Sequence, residues 1–221
     1  DCPESRGLGD VYKRQGQGTL YNQTGQSVYQ GLWEDGTRSG NGTAWLEDGS
    51  IYSGNWVDNY PDGKGTYLFP DGTEYEGGFI RGKKHGQGTF KEADGFVSYD
   101  GEWKDGQRFG KGRVNKRDSS SYDGDWLDGK PHGNGMFTYP DGRVYTGTMK
   151  QGLRQGLGEL RRSDGSIAYE GEWDRNLRHG KGKAYSASGL IKFDGDFYEG
   201  YQSGTGSEYR DDGTLYYQGS C

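Results

Sequence analysis

The chain has 221 residues, 44 of them glycine, with a mean hydropathy of −1.12 and 29% apolar residues, too little apolar mass for a compact core of this length. The formal charge is −6, and because residues 1 to 15 hold three basic and three acidic residues the remainder carries the same −6, which argues against a dedicated nucleic-acid binder. No apolar run approaches the roughly 20 residues of a membrane span, and the aromatic residues, 14% of the chain, stand at fixed phases, which argues against disorder.

At the start of the chain, Ser5 to Gln15 (SRGLGDVYKRQ) reads like a translated transposase-type sequencing adapter, so residues 1 to 15 are set aside as a non-native leader. Gly16 begins the back half of a repeat (16–28). Full repeats then open at Tyr29, Tyr52, Tyr75, Tyr99, Tyr122, Tyr145, Tyr169 and Phe193, at intervals of 23 or 24 residues. A ninth opens at Tyr217 and is cut at Cys221, so the expectation is a slice of a longer array. Cys2 lies in the leader and Cys221 at the cut, and neither supports a disulfide.

Each repeat reads Tyr-x-Gly-x-Trp, a Gly three residues later, then Gly-x-Gly and Asp-Gly, as in YDGEWKDGQRFGKG from Tyr99 and YEGEWDRNLRHGKG from Tyr169. The pattern resembles the MORN (membrane occupation and recognition nexus) repeat family over everything from Gly16 onward. Met149, Phe193 and Asp118-Ser119 depart from it. The resemblance implies a non-catalytic scaffold for protein–protein interaction in cytoskeletal, ciliary or membrane-associated assemblies. Alternatively, it implies the regulatory or membrane-targeting arm of a larger enzyme such as a phosphatidylinositol phosphate kinase. Either setting is intracellular rather than secreted.

Numbering each repeat from its Tyr, positions 1, 3 and 5 share parity and point to one face of an extended strand, as do 12, 14 and 16. Folding about positions 8 and 9 sets 1 opposite 16, 3 opposite 14 and 5 opposite 12, which gathers the aromatic and glycine positions on one face. The glycines then leave room for rings to lie over bare backbone. Position 8 is always Gly or Asn (Asn59 and Asn176), which points to a left-handed backbone. The Asp-Gly pairs mark the return turn, and a bulge is expected in the four repeats that carry an extra residue after it. On the opposite face the fold-over pairs Glu102 with Lys111, Asp100 with Arg113, Glu172 with Lys181 and Glu170 with Lys183. The predicted fold is all-β, an elongated single antiparallel sheet of tandem hairpins forming a twisted rod or open groove.

Sites follow from the same phases. His85, His132 and His179 all hold position 11 in alternate repeats, roughly 19 Å apart, too far to share one zinc ion. Asp123-Gly-Asp125 and Asp194-Gly-Asp196 lack the downstream Glu of a calcium loop. Gly-Lys at Gly63, Gly110 and Gly180 lacks the Ser or Thr of a P-loop. No catalytic set, metal or cofactor is therefore expected. Two surfaces stay open. Trp33, Trp56, Phe79, Trp103, Trp126 and Trp173 form an aromatic face suited to a protein partner, and Arg81, Lys83, Lys84, His85, Arg108, Arg154, Arg178 and His179 form a basic edge suited to anionic membrane lipid.

Overall fold

The computed structural model describes residues 13–220, so the leader expected over residues 1 to 15 lies mostly outside the described residues, as does Cys221. Among the described residues there is no helix; strands joined by short turns fill two compact units. The first comprises residues 13–97 with Trp103–Gly106, and the second Ser98–Glu102 with residues 107–220. In the first unit, β1 (Gly16–Tyr21), β2 (Ser27–Glu34), β3 (Thr37–Trp45), β4 (Ile51–Val57), β5 (Tyr60–Leu68), β6 (Glu74–Ile80) and β7 (Lys83–Lys91) pair antiparallel in chain order. Strand β8 (Val97–Lys104) divides between the units. The second unit continues with β9 (Gln107–Asn115), β10 (Ser121–Leu127), β11 (Lys130–Thr138), β12 (Val144–Lys150) and β13 (Leu153–Arg161). It ends with β14 (Ile167–Asp174), β15 (Leu177–Tyr185), β16 (Ile191–Tyr198), β17 (Tyr201–Tyr209) and β18 (Leu215–Ser220), again paired in chain order.

The core is the aromatic face itself. Tyr or Phe at position 1 and Trp, Phe or Met at position 5 are 0 to 6% exposed in every full repeat. Glycines at positions 3 and 14 face each other in the ladder, for example Gly31↔Gly42 and Gly124↔Gly135. A Cβ on Gly135 would stand 2.4 Å from the Tyr122 hydroxyl oxygen and 2.5 Å from its ring, so no other residue leaves the ring its place. In each unit the packed strand pairs are sequence neighbours, and among the described residues no second layer lies over either face.

The expected register holds for 1 opposite 16 and 3 opposite 14, but 5 opposite 12 is wrong within a hairpin. Trp33 pairs with Arg38 and Glu34 with Thr37, which puts a two-residue turn at positions 7 and 8 rather than 8 and 9. Both turn residues have positive φ, as in Asp35 (47°) with Gly36 (83°) and Asp58 (49°) with Asn59 (70°), the signature of a type I′ hairpin turn. That turn matches strand twist but leaves three residues, positions 11 to 13, opposite the single residue at position 4. The excess is absorbed as a bulge between Gly124 and Trp126 and its equivalents. Gly at position 12 is therefore the left-handed residue of the bulge, with φ from 56° at Gly40 to 98° at Gly63, rather than a clearing for rings. Trp at position 5 does face a position 12, that of the preceding repeat, as in Gly40↔Trp56.

The bulge also redirects the charge ladder. The Glu102 carboxylate accepts the backbone N–H of Lys111, and Glu172 that of Lys181, so these acids cap the bulge instead of pairing with an ammonium. The lysines reach the following repeat, Lys111 to Asp125 at 2.5 Å and Lys181 to Asp196 at 2.7 Å. Glu170 lies opposite Lys183 in register as expected, but its carboxylate accepts the Tyr185 hydroxyl while the ammonium lies 3.6 Å from Asp194. Return turns run over five residues such as Leu46–Ser50, with the Asp side chain accepting the N–H two residues on. Register shifts beside Ala168, Lys192 and Tyr216 place the expected bulges after the longer returns.

Candidate functional site

One device recurs along the aromatic face. Each Tyr hydroxyl at position 1 donates to the carbonyl of position 4, from Tyr29 to Leu32 O (3.0 Å) through Tyr169 to Glu172 O (2.9 Å). Except in the first hairpin, where Leu32 pairs with Ser39, position 4 is the residue the bulge leaves out of the hairpin ladder, and the phenol supplies a partner for its carbonyl. The Trp Nε1–H donates across to the position 14 carbonyl of the repeat before, Trp56 to Gly42 and Trp126 to Gly112. Rings meet edge to face. In the first unit the chain Trp33, Tyr29, Trp56, Tyr52, Phe79, Tyr75, Trp103 runs unbroken with centroids 5.0 to 5.4 Å apart. In the second unit Trp126 joins Tyr99 and Tyr122, and Trp173 joins Tyr145 and Tyr169. Between these groups Met149 takes the Trp position, 5% exposed.

Position 10 completes the seam. Arg38 lies over Tyr29 and Trp56 at 5.1 and 5.0 Å, Arg108 over Tyr99 and Trp126 at 4.9 and 5.3 Å. Arg154 lies over Tyr145 and Trp173 at 5.6 and 4.0 Å, Arg178 over Tyr169 and Phe197 at 5.7 and 4.9 Å. Lys84 sits among Tyr75, Trp103, Phe69 and Phe90 at 4.7 to 5.1 Å. Each cation bridges its own Tyr and the ring of the next repeat, a contact worth about 0.5 to 2 kcal/mol. Burial lowers the pKa of Arg38, Arg108 and Arg154, with the neighbouring tyrosines opposing the shift, yet a guanidinium stays charged. Burial pushes the Tyr75, Tyr145 and Tyr169 phenols up to about 12, and Arg154 and Arg178 draw the last two partly back.

The residues expected to form the lipid edge are therefore placed apart. Arg81 and Lys83 are exposed at a hairpin tip, whereas Lys84, Arg108, Arg154 and Arg178 lie half-buried on rings. His85 is half-buried with its Nδ1 lacking a partner, as is His132, and His179 stacks near Tyr198 at 5.5 Å. The six expected aromatic-face residues, four in the first unit and two in the second, are each buried among the rings of their own unit, 3 to 6% exposed. What stays accessible there is the position 10 cations and a second aromatic row beside the return turns, Tyr67, Phe69 and Phe90 in the first unit and Phe137 with Tyr139 in the second. Arg38 belongs to the seam and the sequence reading passed over it. Its phase, nine residues after Tyr29 like Arg108 after Tyr99, is the signal that identifies it.

The hairpin tips lock to one another. The N–H of position 8 donates to the carbonyl of position 10 in the preceding repeat, Asn59 to Arg38 and Asn176 to Arg154. Both asparagines return the bond, their Oδ1 accepting the N–H of the same residue, which explains why Asn alternates with Gly there.

The MORN repeat family matches at residues 29–51, 52–74, 75–96, 99–114, 122–142, 145–167, 169–191 and 193–215. No curated protein matches with significance. Seventy-eight chains of solved structures do. Among them, the SAS-4 (dCPAP) TCP domain of Drosophila melanogaster, solved with a proline-rich motif of Ana2 (dSTIL), aligns with a TM-score of 0.43 at 12% identity, over 86% of this chain and 99% of that one. Eight consecutive matches make the chain a repeat scaffold of the interaction-module kind. The bare glycine ladder and the I′ tip recur in the same phase as those eight matches, the phenol bond to the position 4 carbonyl recurs in the first seven, and the chain belongs to the MORN repeat family.

Proposed function

We propose that the array is a non-catalytic scaffold that holds another protein along its aromatic face. The observation that carries this reading is that no described element packs over that face in either unit, although it presents half-exposed rings and cations side by side. Stacked repeats offer such a surface at a fixed spacing, which suits an extended segment of a partner better than a small molecule. Binding uses the residual surface around positions 10, 16 and 18, because the Trp and Tyr rings beneath are occupied by their own packing.

A photo-crosslinking residue placed at Val114, position 16 on this face, and at Arg113, position 15 on the other, tests the reading in cells. A discrete protein adduct from Val114 and none from Arg113 is the expected result. Adducts of equal yield from both positions, or lipid adducts alone, contradict it.

A further inference from the structure

The two faces of the second unit carry opposite charge, although the chain as a whole is acidic. On the face opposite the rings, positions 2, 4, 13 and 15 together hold nine carboxylates against four cations, Lys111, Arg113, Lys181 and Lys183, although the sixth repeat has Thr146 and Thr148 at positions 2 and 4. At positions 1, 3, 5, 10, 12, 14 and 16 the second unit has three cations, Arg108, Arg154 and Arg178, and a single carboxylate, Glu208. Those three guanidiniums are half-buried on rings, and among the described residues none has a carboxylate within salt-bridge distance. Arg154 spends one Nη2 hydrogen bond on Asn176 O (2.6 Å) and Arg178 one on Gly200 O (2.7 Å). Arg108 makes no side-chain hydrogen bond to a described residue, and Nη1 of the other two makes none either. A guanidinium offers five donors in a fork matched to carboxylate, and a partly desolvated cation without a counter-charge is costly unless one arrives.

Resting on the aromatic face being the partner face, we infer that the partner segment is acidic and that its carboxylates seat on Arg108, Arg154 and Arg178. The row crosses the strands. Arg154 and Arg178 sit one repeat apart, two strands or roughly 9.6 Å, and Arg108 to Arg154 spans four strands, roughly 19 Å. A polyproline II segment has three residues per turn and advances roughly 3.1 Å per residue, so acids at every third residue stay on one side and match both gaps. A protein segment fits better than a membrane, because these cations lie flat against rings rather than projecting toward a plane.

The test uses the full chain and a fluorescein-labelled 18-residue (Glu-Ser-Ser) repeat peptide, read by anisotropy at low and physiological salt. We expect binding that weakens about tenfold in the double variant R154Q/R178Q and more steeply with salt in the parent. Because that variant removes packing contacts, a gain-of-charge variant carries the decision: P131R adds a cation at position 10 between Arg108 and Arg154 and should tighten binding about threefold to tenfold. No peptide binding, or affinity unchanged in P131R, overturns the inference. So does binding confined to phosphatidylserine vesicles with P131R tightening it, which would assign the row to membrane. A protein adduct at Val114 without peptide binding refutes the acidic partner alone and leaves the scaffold standing.

Discussion

The two faces of the sheet are made by the same strands, yet they respond to opposite rules. On one, the position 1 rings fill space that exists only because positions 3 and 14 have no side chain, and the Tyr and Trp tips at positions 1 and 5 find backbone carbonyls. On the other, Lys111 is 72% exposed in its pair with Asp125, and such surface pairs contribute about 0.2 to 1 kcal/mol. The difference teaches that a sheet without a covering layer is stabilised by one face alone, leaving the other free to vary. Sequence variation agrees in detail: position 5 changes only among Trp, Phe and Met, whereas position 13 runs through Asn41, Lys64, Gln87, Lys111, Asn134, Leu157, Lys181 and Thr205.

The largest effect expected is on the seam. Trp126→Ala removes a ring 5% exposed that touches Tyr99 and Tyr122, bonds Gly112 O at 2.8 Å and carries Arg108, and should cost about 3 to 5 kcal/mol. Hydrogen exchange should accelerate through β9 to β11. Trp33→Ala should loosen only β1 and β2, because the Trp33 bond to Gly18 O is long, at 3.4 Å. If protection in β9 to β11 survives Trp126→Ala, the seam is not what holds the repeats together.

The tips come next. A Cβ on Gly129 meets nothing within 4 Å, so Gly129→Val is opposed only by its φ of 76° and should lose about 1 to 2 kcal/mol in urea relative to Lys130→Val next door. Equal midpoints would remove the argument for the I′ turn. Smaller again is the return turn of the fourth repeat, where Ser119 holds φ 68° in the place that Gly95 and Gly142 fill on either side. Ser119→Gly should stabilise by about 0.5 kcal/mol, relief of left-handed strain being partly offset by the freer unfolded chain. A loss of stability would mean that the serine side chain contributes something the strain argument omits.

Much of this was legible in the sequence, and what escaped has one cause. Parity counting identified the aromatic face, the 1–16 and 3–14 pairs and the left-handed position 8, because strand alternation is exact while the ladder is regular. It failed at the bulge, where position 7 also turns left-handed with non-glycine residues such as Arg81 and Gln151, and position 5 pairs with 10. A two-residue turn cannot be told from its neighbour in register by parity, since both keep some pairs in phase. The error carried position 10 to the wrong surface. Arg108, Arg154 and Arg178, read as edge charge, belong among the rings.

The division between faces is tested most directly on two adjacent residues of β11. Gly135 faces the Tyr122 ring, and Met136 is 43% exposed on the other side. Urea midpoints for Gly135→Ala and Met136→Ala set the gain of one methyl group against the loss of most of a side chain. Adding the methyl should cost about 3 kcal/mol by overpacking, and truncating the methionine should stay within about 0.5 kcal/mol. Equal losses, or a larger loss at Met136, would contradict a fold held by one face.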